Sequence, residues 1–218
     1  MVIQLDGQVL NYEVVGEGKP LIMLHGNNES HEIFEEAISV LSGYYTVYAI
    51  DSRGQGLSAP ANEYHYSDMA KDVINFIETL DIESPILYGF SDGGIIGLMV
   101  AIKKGYLIDK LIVSGVNLTP KGLKHSALSE IKRDFKRTKD PLVEMMLREP
   151  NLTENDLSKI NVPTLITMGS NDMVKPAEGR KLNNSIKSST LKVLDGETHG
   201  SYIIHSTKIA DIILTYQL

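Results

Sequence analysis

Short apolar runs alternate with segments of helical periodicity along most of this chain, and no other feature restricts its fold as tightly. The runs are LIMLHG at 21–26, YTVYAID at 45–51, PILYGF at 85–90, KLIVSG at 110–115, PTLITMG at 163–169 and TLKVL at 190–194. Continuous apolar stretches of this length are expected of strands buried on both faces. Between them, residues 30–41 carry Ile33, Phe34, Ala37, Ile38 and Leu41 at helical spacing behind Ser30 as an N-cap, and SDMAKDVINFIETL (67–80) repeats the pattern behind Ser67. GGIIGLMVAIKKG (93–105) and AEGRKLNNSI (177–186) read as two further helices. Strands separated by helices pair in parallel through crossovers. At the start, VIQL (2–5) and LNYEVV (10–15) flank Asp6-Gly7, a dipeptide suited to a tight hairpin turn. At the end, from Ser201 onward, Ile204, Ile209, Ile212, Ile213 and Tyr216 fall on one helical face. The expectation is an α/β fold with a mostly parallel central sheet of about eight strands, flanked by helices.

The segment 117–160 breaks the alternation, being longer than one crossover needs, with two helices expected around Pro141. It reads as a short helical cap inserted into a single domain spanning 1–218, a length that suits one α/β domain. Between 121 and 139 it carries Lys121, Lys124, Lys132, Arg133, Lys136, Arg137 and Lys139 against Glu130 and Asp134. A solvated helix face accounts for such a charge run, and recruitment of an anionic substrate or surface is the sharper alternative. Leu142, Val143, Met145, Met146 and Leu147 are expected to pack beneath it, with the flexible methionines 145 and 146, together with Asn28, as candidates for a substrate pocket.

The chain as a whole is acidic, with 21 basic and 28 acidic residues and a formal charge of −7, which argues against nucleic-acid binding. It has no cysteine, so disulfides, thiolate metal sites and thiol nucleophiles are excluded. No stretch reaches the roughly 18 apolar residues of a membrane span. No secretory leader is visible at the N-terminus, so a cytoplasmic location is expected.

Tyr88-Gly89-Phe90-Ser91-Asp92-Gly93-Gly94 places a serine at the junction of an expected strand and helix, in the pattern G-x-S-x-G. Flanking glycines relieve crowding where the serine backbone must be strained to lift its hydroxyl outward. The helix N-terminus beside it favours developing negative charge. A serine hydroxyl becomes nucleophilic only when a base removes its proton, and that base needs an acid to fix its tautomer. Asp172 follows the expected strand 163–169 and His199 follows 190–194, so parallel strands bring both to the edge that holds Ser91. Asp195, four residues from His199, is the competing acid. His31, His65, His125 and His205 lack a motif and read as surface or packing residues. Gly54-Gln55-Gly56 lacks the third glycine of a dinucleotide loop, and no His spacing suggests a metal site, so neither cofactor nor metal is expected.

Five motifs in order, LHGNN at 24–28, DSRGQGLS at 51–58, the serine turn, Gly169 to Asp172 and the late His199, make the chain resemble the α/β-hydrolase fold family over essentially its whole length. The resemblance implies an oxyanion hole formed by the backbone N–H groups of Asn27 and Asp92, with Asn28 as a substitute for Asn27. It implies that His25 organises that loop. It also implies a serine hydrolase acting on a small-molecule acyl compound, a carboxylic ester first, with amidase, thioesterase and C–C bond hydrolase activities in the same family. Fold alone does not choose among these, and a ligand receptor or interaction module could use the same fold. The Asp92 carboxylate has two readings: a brace turned into the fold, or a recognition group for a cationic amine facing the acyl pocket. The sequence does not indicate an oligomeric state.

Overall fold

The computed structural model describes residues 1–216. Eight strands form one sheet in the order β1-β2-β4-β3-β5-β6-β7-β8: β1 (Val2–Leu5), β2 (Gln8–Val15), β3 (Lys19–Leu24), β4 (Tyr45–Ile50), β5 (Ile86–Phe90), β6 (Lys110–Ser114), β7 (Thr164–Gly169) and β8 (Ser189–Leu194). The pairs β1/β2 and β2/β4 are antiparallel and the rest are parallel. Gly7 adopts φ 77° in the hairpin turn, the left-handed conformation that Asp6-Gly7 was expected to supply.

Among the described residues eight α-helices connect or flank these strands: α1 (Glu35–Leu41), α2 (Tyr66–Thr79), α3 (Asp92–Lys104), α4 (His125–Thr138), α5 (Pro141–Arg148), α6 (Glu154–Leu157), α7 (Pro176–Ser185) and α8 (Lys208–Thr215). Because side chains alternate along a strand, each central strand feeds two cores. Ile22, Leu24, Leu87, Leu111, Val113 and Ile166 pack with α2, α3 and α7 on one face. Leu21, Met23, Tyr88, Ile112 and Leu165 pack with α1 and α8 on the other. Burial on both faces explains the unbroken apolar runs, each fully buried Leu or Ile contributing roughly 1.5–3 kcal/mol.

Three boundaries differ from the sequence expectation. Ser30 caps a 3-10 turn, His31–Phe34, and α1 starts only at Glu35. Ser67 caps nothing: α2 begins at Tyr66, whose N–H donates to Glu149 Oε2 at 3.1 Å, while the other oxygen of that carboxylate lies 2.5 Å from His65 Nδ1. A distant carboxylate has replaced the local hydroxyl. At the C-terminus, residues 201–205 form turns, because His205 turns left-handed at φ 46° and its N–H bonds Ile33 O at 2.9 Å. Ile204 is therefore exposed, whereas Ile209, Ile212 and Ile213 of α8 are buried as expected. Tyr216 follows that helix, and the last two positions of the expected segment lie outside the described residues.

The winding of the sheet fixes where a site can form. β3 pairs with β4 on one side and β5 on the other, so the chain reverses its direction of travel between them. Such a switch point leaves a crevice at the carboxyl ends of the strands. The loop after β3 and the turn after β5 both open onto it. The DSRGQGLS loop after β4 supports this edge structurally. Asp51, fully buried, accepts N–H groups from Leu57 and His31 and bonds the Asn11 amide and the His31 ring; burial works to raise its carboxyl, but these donors hold it far below the usual range. Gly56 is required because a Cβ there would strike that carboxylate. Arg53 grips Asp72 with two bonds of 2.7 Å. Among the described residues no helix is long and apolar enough to cross a membrane.

Candidate active site

Ser91 sits between β5 and α3 at φ 52°, ψ −115°, a conformation costly for any residue with a Cβ. Surrounding backbone holds it there: its N–H donates to Ser114 O at 2.8 Å, and Gly93 N–H donates to His25 O at 3.0 Å. A Cβ at Gly89 would strike the Gly93 carbonyl, and one at Gly93 the Leu24 carbonyl, so the glycines serve close backbone approach.

His199 and Asp172 arrive from the loops after β8 and β7. His199 Nε2 lies 3.0 Å from Ser91 Oγ and His199 Nδ1 lies 2.7 Å from Asp172 Oδ1. With Nδ1–H donating to the carboxylate, Nε2 is left to accept the serine proton. The ring is seated by Phe90, whose centroid is 4.9 Å away, and by Gly115, where a Cβ would lie 2.7 Å from the imidazole. Asp172 is 1% exposed. Burial alone would raise its carboxyl, but the bond and charge of His199, with N–H groups of Val174 at 2.9 Å and Gly169 at 3.3 Å, hold it below its ordinary value. Asp195 is exposed and has no such bond to His199.

Neither the Asn27 nor the Asp92 backbone N–H has an acceptor among the described residues. The Asn28 N–H, the alternative donor, is engaged by Gln55 Oε1 at 2.6 Å. His25 is almost wholly buried, with Nδ1 2.7 Å from Gly26 O and Nε2 accepting Ser52 N–H at 3.0 Å; burial lowers its pKa, in keeping with a neutral ring that ties loops together. Glu29 accepts the Gly26 N–H at 2.9 Å, and burial pushes its carboxyl up against that bond. His31 and His65 bond to Asp51 and Glu149 and lie away from Ser91's partners.

The Asp92 side chain is 3% exposed and turned into the fold. Its Oδ2 accepts Asn27 Nδ2 at 2.9 Å, and the buried Tyr66 hydroxyl also favours the charged carboxylate. Burial dominates over these two influences and raises its pKa to about 6. The folded chain therefore holds this proton more tightly than the unfolded chain, in which aspartate ionises near 3.8, so stability is lost as pH rises from about 4 to about 6. A change of that size corresponds to about 3 kcal/mol. Asp92→Asn, with no proton to lose, is expected to be more stable than the parent by up to about 3 kcal/mol above pH 6, a gain that shrinks to nothing below about pH 4. Thermal unfolding at both ends of this range measures it, and a gain independent of pH would contradict this assignment.

Two cavities flank α4. One, of 540 Å³, is lined by Asn27, Asn28, Ile131, Arg133, Val143 and Met146, among others. The second, of 390 Å³, is bordered by Lys124, Ala127, Asp172, Met173 and His199. Asn28 and Met146 thus meet the first cavity as expected, but Met145 does not. On α5, Leu142 and Met145 face the core and Val143 and Met146 the cavity, the three-residue spacing of two neighbouring helix faces; Met145 is fully buried in the core that holds α2 and α3. The basic residues of α4 are mostly solvated, although Arg133 and Arg137 reach the rim of the larger cavity, the latter paired with Asp134 at 2.5 Å. Gln55, Tyr66, Glu29 and Asp140 were not singled out by sequence as parts of this region.

A family model for the alpha/beta hydrolase fold matches residues 19–140. The chain belongs to that family. Among alpha/beta hydrolase relatives it is 29% identical over 250 residues to the AB hydrolase superfamily protein YisY of Bacillus subtilis (strain 168), covering 94% of this chain and 93% of that protein. Its fold is similar to that of an esterase from Exiguobacterium antarcticum, with TM-score 0.84, 24% identity and coverage of 99% and 98% of the two chains. A meta-cleavage product hydrolase from Pseudomonas fluorescens IP01 is similar at TM-score 0.81 and 20% identity, covering 98% of this chain and 96% of that one.

Proposed function

We propose that this alpha/beta hydrolase cleaves a small carboxylic ester, or a related acyl compound, through an acyl-enzyme on Ser91. The hydrogen-bonded line from Ser91 Oγ through His199 to buried Asp172 carries this reading. Ser91 Oγ attacks the acyl carbon as His199 Nε2 takes its proton; Asp172 orients the ring and stabilises the imidazolium. The carbonyl oxygen becomes an oxyanion that accepts the free N–H groups of Asn27 and Asp92, at the positive end of α3. Collapse expels the alcohol, which takes the proton from His199. Water then adds to the acyl-enzyme by the same route, regenerating Ser91 and releasing the acid.

The engagement of Asn28 N–H by Gln55 favours Asn27 as the second donor. The segment 117–160 acts as the cap of a single catalytic domain, its apolar wall at Ile131, Val143 and Met146 suited to a slender acyl group. An ester is preferred over the C–C bond substrates handled elsewhere in the family because it requires only the groups already in line. An active-site-directed fluorophosphonate followed by peptide mass spectrometry is expected to label Ser91 and no other serine, and to leave Ser91→Ala unlabelled. Absence of labelling would favour a ligand receptor or interaction module. A panel of esters of graded acyl length then defines the substrate.

A further inference from the structure

We propose that the side chains of Asn27 and Asp92 clamp the two oxyanion donors at a fixed spacing, which makes Asp92 a positioning residue rather than a recognition group for substrate. The inference rests on the reading of Asn27 and Asp92 N–H as those donors. The two residues belong to different loops, one after β3 and one at the start of α3, and each owns a backbone N–H without an acceptor among the described residues. Their side chains bond each other at 2.9 Å. Below the clamp, the hydrogen bond that joins the loops among the described residues is a backbone one, Gly93 N–H to His25 O.

The clamp is itself held from several sides. The Asn27 amide also donates to Leu142 O at 3.3 Å, in the first turn of α5, so one amide nitrogen serves both the serine turn and the inserted segment. Asn28, left-handed at φ 55°, is fixed by Gln55 on its N–H and by Asp140 Oδ2 on its side chain at 2.9 Å. Asp140 Oδ1 meanwhile caps α5 through Leu142 N–H at 2.8 Å. The buried Tyr66 hydroxyl also acts on the Asp92 carboxylate. The other charged or titratable groups that act on it are His199 and Glu29. A carboxylate so enclosed is engaged by Asn27 and Tyr66, and a substrate amine would have to displace them.

Asn27→Ala keeps the backbone donor and removes the clamp. Its kcat for a neutral ester is expected to fall about 30-fold with little change in KM, because displacement of a catalytic group by about 1 Å has effects of that order. Affinity for a trifluoromethyl ketone, whose carbonyl adds Ser91 Oγ and leaves an oxyanion in the hole, should fall by the same factor. Asp92→Ala should behave alike and the double variant should be no worse than either single one, while Asp92→Asn, whose amide oxygen accepts from Asn27, restores most activity. Additive losses, an effect confined to KM, or a loss selective for cationic esters in Asp92→Asn would overturn the clamp. Should Asp92→Ala fail to fold, Asn27→Ala and Asp92→Asn decide alone. Failure of the hydrolase reading is distinct: the parent protein would then neither label at Ser91 nor turn over ester.

Discussion

Ser91→Ala is expected to lower kcat for ester hydrolysis by roughly 10⁴- to 10⁶-fold, the largest effect any single substitution in this chain should have. In the proposed mechanism the alanine removes the atom that forms the acyl-enzyme and leaves every other part of the site in place. His199 retains its bond to Asp172, and the N–H groups of Asn27 and Asp92, which have no acceptor among the described residues, would as proposed still polarise a bound carbonyl. Residual hydrolysis would then be direct attack by water, which gains from binding and the oxyanion donors alone. The backbone at φ 52° is no harder for alanine than for serine, so unfolding temperature should scarcely change. Steady-state hydrolysis of a chromogenic ester by folded variant measures the effect. Retention of more than about a tenth of the rate would mean that another group attacks, well outside what loss of a nucleophile allows.

Asp172→Asn should cost about 10⁴-fold in kcat, with KM and fold nearly unchanged. The carboxylate receives Nδ1–H of His199 at 2.7 Å and two backbone N–H groups, and all of these need an acceptor. The two backbone N–H groups meet different oxygens, Val174's at Oδ1 beside the ring and Gly169's at Oδ2, so one amide oxygen cannot serve both, and an NH₂ group at Oδ1 faces the ring and demands an unprotonated Nδ1. Tautomer inversion puts the proton on Nε2, 3.0 Å from Ser91 Oγ, where a proton acceptor is required. The imidazolium also loses its counter-charge. Reactivity of Ser91 toward the fluorophosphonate should fall in parallel, since the same proton transfer is needed. If this variant instead retained near-parental turnover, the acid would have to be sought elsewhere, and Asp195 is too exposed and unbonded to serve.

What the sequence disclosed was whatever depended on local chain pattern. Runs buried on both faces, the helix that starts at Asp92, and the serine turn follow from adjacent residues, and the positions of Asp172 and His199 follow from loops at the ends of parallel strands. Features made by contacts between distant segments were opaque. Ser67 looks like a cap until Glu149, 83 residues away from Tyr66, takes over that task. Met145 and Met146 are chemically equivalent in the sequence; only the facing of α5 sends one into the core and the other to the cavity. The role of Gln55 could not be read from its own loop, because its partner is the Asn28 N–H on another strand's end. Asp92 illustrates the limit most sharply: the brace and the amine-recognition readings differ only in where one side chain turns, and the Asn27 bond and the burial of the carboxylate support the brace.

The reversal of winding between β3 and β5 has a consequence for how such a chain can change its chemistry. Because the chain leaves β3 toward β4 and leaves β5 toward β6, the loops at their carboxyl ends diverge, and the sheet beneath them closes without help from any reactive group. Under the proposed function, substrate choice falls to segments hung over the opening, chiefly 117–160, whose exchange would leave the twofold-buried strands and their register undisturbed. In that division of labour the scaffold supplies tolerance and the overhang supplies discrimination.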